Sequence, residues 1–340
     1  MSGRRLDGAR QVAEAPALPA PERGCELALA VFASETGTHL IRAPSGGRWR
    51  THARTFDARA YERRLAEQGF GFLARSSSEF PPLLGAVHDP PAGLFLRGAG
   101  EPELLARPAV AVVGARACSG YGASVARMLG RELAAAGLVV VSGLARGVDA
   151  EAHRGALEAN GATVAVLGCG IDRDYPAAHA ELARRVAAAG LIVSEYAPGV
   201  EPSAWRFPAR NRIIAGLCAA TAVVEARERS GALITADLAL EEGREVLAVP
   251  GEITSSLSAG TNALLKLGAS PLTGAADVLA CFGLEAAPPA ERGGLLDLLP
   301  ASADELVRRT GLTASEVASA LVELELAGAV AAHDGLYRIQ

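Results

Sequence analysis

The chain has 340 residues, half of them apolar and 21% charged, with a net charge of −5. That length suits one large α/β domain with one or two small satellites, and the negative balance excludes a general basic field, so any nucleic-acid contact must come from a local cluster of cations. Five scattered cysteines (Cys25, Cys118, Cys169, Cys218 and Cys281) without a C-x-x-C pair exclude a disulfide framework and a zinc site and fit the reducing cytoplasm. No apolar run approaches the roughly 20 residues of a membrane span, so a soluble protein without membrane partners is expected.

In chain order, residues 1–24 are rich in Ala, Pro, Gly and charge without a sustained period and read as a disordered leader. Arg4-Arg5 begins like a twin-arginine export signal, but Asp7, Arg10 and Glu14 stand where an apolar segment is needed. Residues 25–104 read as a small N-terminal subdomain and lead-in, ending in Phe80-Pro81-Pro82 and Asp89-Pro90-Pro91, whose prolines impose extended or turn geometry.

From 105 to 283, short β-branched runs alternate with Ala-rich helical stretches; the strand candidates are 110–113, 138–141, 163–167, 191–193, 222–224 and 245–249. Nearly continuous apolar strands separated by helices imply an α/β domain, an extended Rossmann-like doubly wound parallel sheet with helices on both faces. Residues 284–292 read as a linker, and residues 293–340, three helical segments and the ending Val330 to Ile339, as a C-terminal winged-helix domain. Its third helix, 313–326, carries Glu316, Glu323 and Glu325 and no Lys or Arg. A helix so charged would face duplex phosphates with carboxylates, which points to an interaction or regulatory module.

In such a sheet the ligand crevice lies at the carboxyl ends of the strands. The first strand runs into Gly114-Ala115-Arg116-Ala117-Cys118-Ser119-Gly120, where glycine allows close approach, a helix start offers N–H groups and Arg116 can grip phosphate. The second runs into Ser142-Gly143-Leu144-Ala145-Arg146-Gly147, again Gly-bracketed and arginine-bearing. Trp205-Arg206-Phe207-Pro208-Ala209-Arg210-Asn211-Arg212 packs three arginines and two rings into a helix start, a mixture suited to a single strand with phosphates and unstacked bases; the alternative is a solvated arginine face with a hydrophobic staple. Ser230 opens a further helix after a strand as an N-cap and a possible anion contact.

No G-x-x-x-x-G-K-[ST] occurs, and Gly168-Cys169-Gly170 lacks the third dinucleotide glycine because Arg173 stands there. No cofactor is expected. Asp149 and His153 share a helix face, but a macrodipole role for the one and a packing role for the other explain them without catalysis. Glu195, Glu225, Glu241 and Glu242 show no metal-ligand spacing, so neither a metal nor a catalytic residue is assigned.

Taken together, residues 110–122, 140–157, 208–216 and 230–251 resemble successive signatures of the DNA-processing protein A (DprA, or Smf) family, with 80–98 and 172–176 as further elements. The resemblance implies single-stranded DNA binding without strong sequence preference, homodimers, and loading of the recombinase RecA onto DNA coated by single-strand-binding protein, in natural transformation or recombination. Carried over to this sequence, it implies a phosphate pocket of Gly114, Arg116, Ser119, Ser142 and Gly143; Arg146, from the second turn, is available to a polyanion on its charge alone. Arg210, Asn211 and Arg212 fall on the family's F-P-x-R-N-R segment, with Phe207 as a base-contacting ring. Ala115 departs from the Ser of many relatives, and the N-terminus looks too short and proline-rich for their helical domain. The rival readings are a phosphoribohydrolase-like enzyme, whose P-G-G-x-G-T-x-x-E segment is missing although Pro250-Gly251 begins similarly, and a pure protein scaffold, which would leave the arginine-bearing turns without a role.

Overall fold

The computed structural model describes residues 23–37, 44, 46–284, 293–296, 298–326, 328–333 and 335–339. The chain opens with helices α1 (Arg23–Thr36), α2 (Gly47–Thr55) and α3 (Ala58–Glu67), then strand β1 (Gly71–Ala74), the helical turn α4 (Pro82–Gly85) and β2 (Gly93–Gly98). A regular alternation follows: β3 (Ala109–Val113), α5 (Gly120–Ala135), β4 (Val139–Ser142), α6 (Val148–Glu158), β5 (Thr163–Leu167), α7 (Ala180–Ala189), β6 (Leu191–Ser194) and α8 (Arg206–Leu217). It continues through β7 (Ala220–Val223), α9 (Gly231–Glu241), β8 (Glu245–Ala248), α10 (Ala259–Lys266), β9 (Ser270–Pro271) and α11 (Ala275–Ala280).

The nine strands form one sheet in the order β1-β2-β6-β5-β4-β3-β7-β8-β9. Strands β3 to β9 are parallel, as their apolar character requires, whereas β2 joins β6 antiparallel, with Phe95 opposite Ser194, and β1 pairs antiparallel with β2. The sheet is therefore larger and more mixed than the sequence implied. Residues 71–98 extend its edge and belong to the same compact unit, which reaches Leu284.

Alternation along the strands divides the core by face. Ala111, Val113, Val139, Val141, Val164 and Val166 pack under α4, α8, α9 and α10 through Leu84, Ile213, Ile214, Ala236 and Leu264. Val110, Val112, Val140, Ala222 and Leu247 face α5, α6 and α11, while Ala165, Leu167, Ile192, Phe72 and Phe95 meet α7 and the first three helices. Each such aliphatic side chain removed from water contributes about 1.5–3 kcal/mol.

Of the expected leader, residues 1–22 lie outside the described residues, and Arg23 and Gly24 already belong to α1. The N-terminal region does hold helices: α1 is buried on all sides from Glu26 to Val31, while α2 and α3 bury one side each through Trp49 and Leu65. The sequence hid this because residues 27–33 read as one short apolar run rather than a periodic stripe. Of the expected linker, 285–292 lie outside the described residues.

A second unit comprises α12 (Gly293–Leu296), α13 (Ala303–Thr310), α14 (Ala314–Leu326) and the antiparallel hairpin β10 (Val330–His333) and β11 (Leu336–Ile339) around Leu295, Leu306, Val317 and Leu321. This is a winged-helix arrangement. Ser302 caps α13 by accepting from Glu305 N–H. Among the described residues, no helix is long and apolar enough to cross a membrane.

Candidate nucleic-acid interface

Strand order reverses between β3 and β7: successive strands run outward from β3 through β4, β5 and β6 on one side, and from β7 through β8 and β9 on the other. The loops leaving the two central strands must part at their carboxyl ends, which opens a crevice there. Two adjoining cavities of about 340 and 290 Å³ occupy it and share Arg116, Ala145, Phe207 and Arg210. The first also touches Gly114, Asn211, Ser230 and Gly231, the second Gly143, Arg146, Gly168 and Tyr175.

Rings and cations alternate along the crevice. The Tyr175 and Phe207 rings stack at 5.3 Å and 26°, and the Arg116 guanidinium lies 5.4 Å from the Phe207 ring centre. Arg116 and Arg146 are exposed, so their charge is available to a ligand. At the start of α8, Trp205 is 43% exposed and meets Tyr196 edge-on, while Arg206 lies over both rings at 5.0 and 5.3 Å. The cation on Trp205 takes the place of the alternative hydrophobic staple. Sequence reasoning missed Tyr175 and Tyr196, because nothing in the sequence says that the loops after β5 and β6 fold back onto the start of α8.

Several of the expected phosphate-contacting groups have partners inside the protein, and at two of the turns these are its own carboxylates. Asp149 Oδ2 accepts from the N–H groups of Gly143 and Ala145 at 3.1 and 3.3 Å, and Leu144 between them takes φ 56° so that both point inward. At the start of α5, Glu225 accepts from the Ser119 N–H at 2.9 Å and from its hydroxyl at 2.5 Å. Ser119 also accepts from Gly122 N–H as N-cap. It lies in a separate depression with Tyr121 and Pro250.

Ser142 is wholly buried and donates to Val112 O across the sheet, so its hydroxyl does not line the crevice. Gly114 and Gly143 answer to packing: a Cβ would come within 2.6 Å of Val148 Cγ2 at the first and 2.8 Å of Arg210 Cζ at the second.

Arg210, Asn211 and Arg212 also differ from expectation. Arg210 is only 4% exposed; its Nε donates to Asn211 Oδ1, and its Nη1 to the carbonyls of Gly143 and Val166. Burial pulls its pKa down to about 10, with Asp149 opposing, so it stays cationic at neutral pH. Burial raises the Asp149 carboxyl, and Arg210 and the two N–H bonds oppose that rise. Asn211 Nδ2 ties α8 to Gly231 O at the start of α9. Arg212 is held by Asp89 and Glu195 with its side chain 10% exposed, an internal clamp rather than a free cation. Ser230, the N-cap residue of α9, has a buried hydroxyl without a partner among the described residues, directly beside the first cavity.

The Asp149–His153 pair offers no acid–base device. His153 is fully buried, and its Nδ1 lies 2.7 Å from Thr163 Oγ1, which donates to Val140 O, so the imidazole is the donor in that contact. Burial lowers its pKa to about 3, which keeps it neutral.

Comparison with known proteins gives consistent results. Residues 71–283 match the family model described as DNA recombination-mediator protein A, and residues 284–335 match the DprA winged helix domain. The chain is 47% identical over 203 residues to the DNA processing protein DprA of Streptococcus pneumoniae, covering 60% of this chain and 71% of that one. It is 42% identical to Protein Smf of Escherichia coli, covering 80% and 78%. The X-ray structure of the S. pneumoniae protein superposes with a TM-score of 0.64 at 38% identity over 76% of this chain and 92% of that one. A Helicobacter pylori DNA processing protein A, described by its unique single-stranded DNA binding mode, gives 0.56 at 31% identity over 63% and 95%. With a nine-stranded Rossmann-like sheet, a terminal winged helix and a family match across most of its length, the chain belongs to the DprA/Smf family.

Proposed function

We propose that the crevice binds single-stranded DNA without strong sequence preference and that the protein hands the strand to RecA in transformation or recombination. The observation that carries this reading is the stack Tyr175–Phe207–Arg116 beside exposed Arg146, at the mouth of the crevice. Rings can engage bases only when these are unstacked, and the cations meet the phosphates regardless of sequence. Gly114, Gly143, Ser142 and Ser119 act by shaping the loops. Arg116 and Arg146 meet the backbone, with Ser230 as an inner contact, while Arg210 holds the loops together and Asn211 and Arg212 hold α8 in place.

The single-stranded DNA binding mode described for the H. pylori neighbour supports the ligand class. The reading is one of binding rather than catalysis: neutral, buried His153 and internally satisfied Asp149 are unsuited to acid–base work. A homodimer would present two crevices and raise apparent affinity through effective concentration. The winged helix, with exposed Glu316, Glu323 and Glu325 on α14, serves as an interaction module.

The test is anisotropy titration of oligothymidylate against a blunt duplex of equal length, followed by strand exchange by the cognate RecA on DNA coated with single-strand-binding protein. Tighter single-strand binding and faster exchange are expected. Equal or tighter duplex binding refutes the ligand assignment, and unchanged exchange refutes the loading role alone. Release of ribose 5-phosphate from a nucleotide would instead favour the phosphoribohydrolase-like reading.

A further inference from the structure

The family match begins at residue 71 and leaves the three N-terminal helices without a role. Residues 46–68 carry six arginines, Arg48, Arg50, Arg54, Arg59, Arg63 and Arg64, against three carboxylates, in a chain whose net charge is −5. All six arginines are exposed, while Trp49 and Leu65 bury the opposite sides of α2 and α3. Two of the carboxylates are engaged elsewhere: Asp57 caps α3 by accepting from Ala60 N–H, and Glu62 pairs with Arg23 at 2.9 Å.

Arg64 lies 5.1 Å from the Tyr61 ring centre, and the other five arginines have no ion-pair partner among the described residues. Arg50 and Arg54, and Arg59 and Arg63, repeat at i,i+4, a like-charge spacing that opposes helix stability. Stability therefore does not explain the pattern, and an external polyanion does.

The position of these helices says which polyanion. The loop from Tyr196 to Trp205 has the crevice rings on one side and α1–α3 on the other. The Ala197 N–H donates to Ser34 Oγ at 3.0 Å, Pro198 shares a depression with Tyr61 and Arg64, and a Cβ on Gly37, just past α1, would lie 4.0 Å from the Trp205 indole. His52 of α2 reaches Ala28 O of α1 at 3.1 Å. The arginine face is thus one helix away from Trp205 and Arg206, which immediately precede the crevice residue Phe207.

We infer that α2 and α3 form a second backbone-binding track, which takes the phosphates of the same DNA single strand after it passes Trp205. The inference rests on the single-strand reading of the crevice. It predicts a site longer than the crevice, in which the extra nucleotides are held by charge alone and so depend strongly on salt.

The test is an Arg50→Ala, Arg54→Ala, Arg59→Ala, Arg63→Ala variant of the full chain, checked for wild-type folding by circular dichroism and titrated with oligothymidylates of about 6 and about 30 nucleotides. The short oligonucleotide should bind variant and wild type equally. The long one should bind the variant about tenfold more weakly, with a salt slope lower by about 0.7 for each phosphate contact removed. Equal affinity and slope on the long oligonucleotide, with the short one still bound, overturns the track and leaves the crevice reading standing; the arginines would then serve an acidic protein or another anion. Failure of the wild type to bind either length overturns both. A variant that lost the short and long oligonucleotides alike would place these arginines inside the primary site and overturn a separate track.

Discussion

Replacing Arg210 with alanine should unfold the crevice before it tests DNA binding. The side chain is 4% exposed, and its loss removes the donors to Gly143 O, Val166 O and Asn211 Oδ1. It also takes the main compensating cation from Asp149, which keeps the Gly143 and Ala145 N–H bonds and the weaker field of Arg116. Removing one member of a buried charge pair costs about 3–5 kcal/mol, a large share of a typical 5–15 kcal/mol stability. With a urea m-value near 3 kcal/mol/M, at the upper end for a unit of this size, the midpoint should fall by about 1–1.7 M. The two tryptophans, Trp49 and Trp205, both lie before residue 284, so their fluorescence reports this unit alone. Arg210→Lys should recover only part of the loss, because an ammonium cannot reproduce the fork that spans Nε and Nη1. A midpoint for Arg210→Ala within about 0.3 M of wild type, roughly 1 kcal/mol at that m-value, would refute the claim that this arginine holds the loops together.

Exposed Arg116 should behave in the opposite way. Arg116→Ala should change stability by no more than about 0.5 kcal/mol, yet weaken binding to all single strands and lower the salt slope by about 0.7; wild-type affinity and slope would remove it from the site. A fragment ending near Leu284 should still bind single-stranded DNA, since α14 presents carboxylates, and loss of binding in a well-folded fragment would overturn the assignment of the winged helix as an interaction module. For His153, the unfolded chain takes up a proton near pH 6.5 and the folded chain only near 3, so the contribution is fully present above 6.5 and is lost as pH falls towards 3. The loss should approach about 1.4 kcal/mol per pH unit. Urea midpoints between pH 7 and 4 for wild type and His153→Gln should converge towards low pH, and parallel curves would contradict a neutral buried imidazole.

The sequence by itself determined the parallel core and the location of the crevice. Short β-branched runs such as Val110–Val113 and Thr163–Leu167 have few ways to bury both faces, and loops at the carboxyl ends of parallel strands gather in one place. It also marked Arg116, Arg146 and Phe207, because a glycine-bracketed turn with an arginine and a ring within a cationic helix start are local patterns. Only the tertiary structure decided which polar groups remain available. Arg210, Arg212, Ser119 and Ser142 read as ligands when their partners are unseen, and those partners, Asp149, Asp89, Glu195, Glu225 and Val112 O, come from other loops and strands. Tyr175 went unnoticed for the converse reason, since its stack on Phe207 joins residues 32 positions apart. Hydrogen bonds and ion pairs are satisfied across space, so a sequence states which groups can bind an anion, and the fold determines which of them the protein has already used.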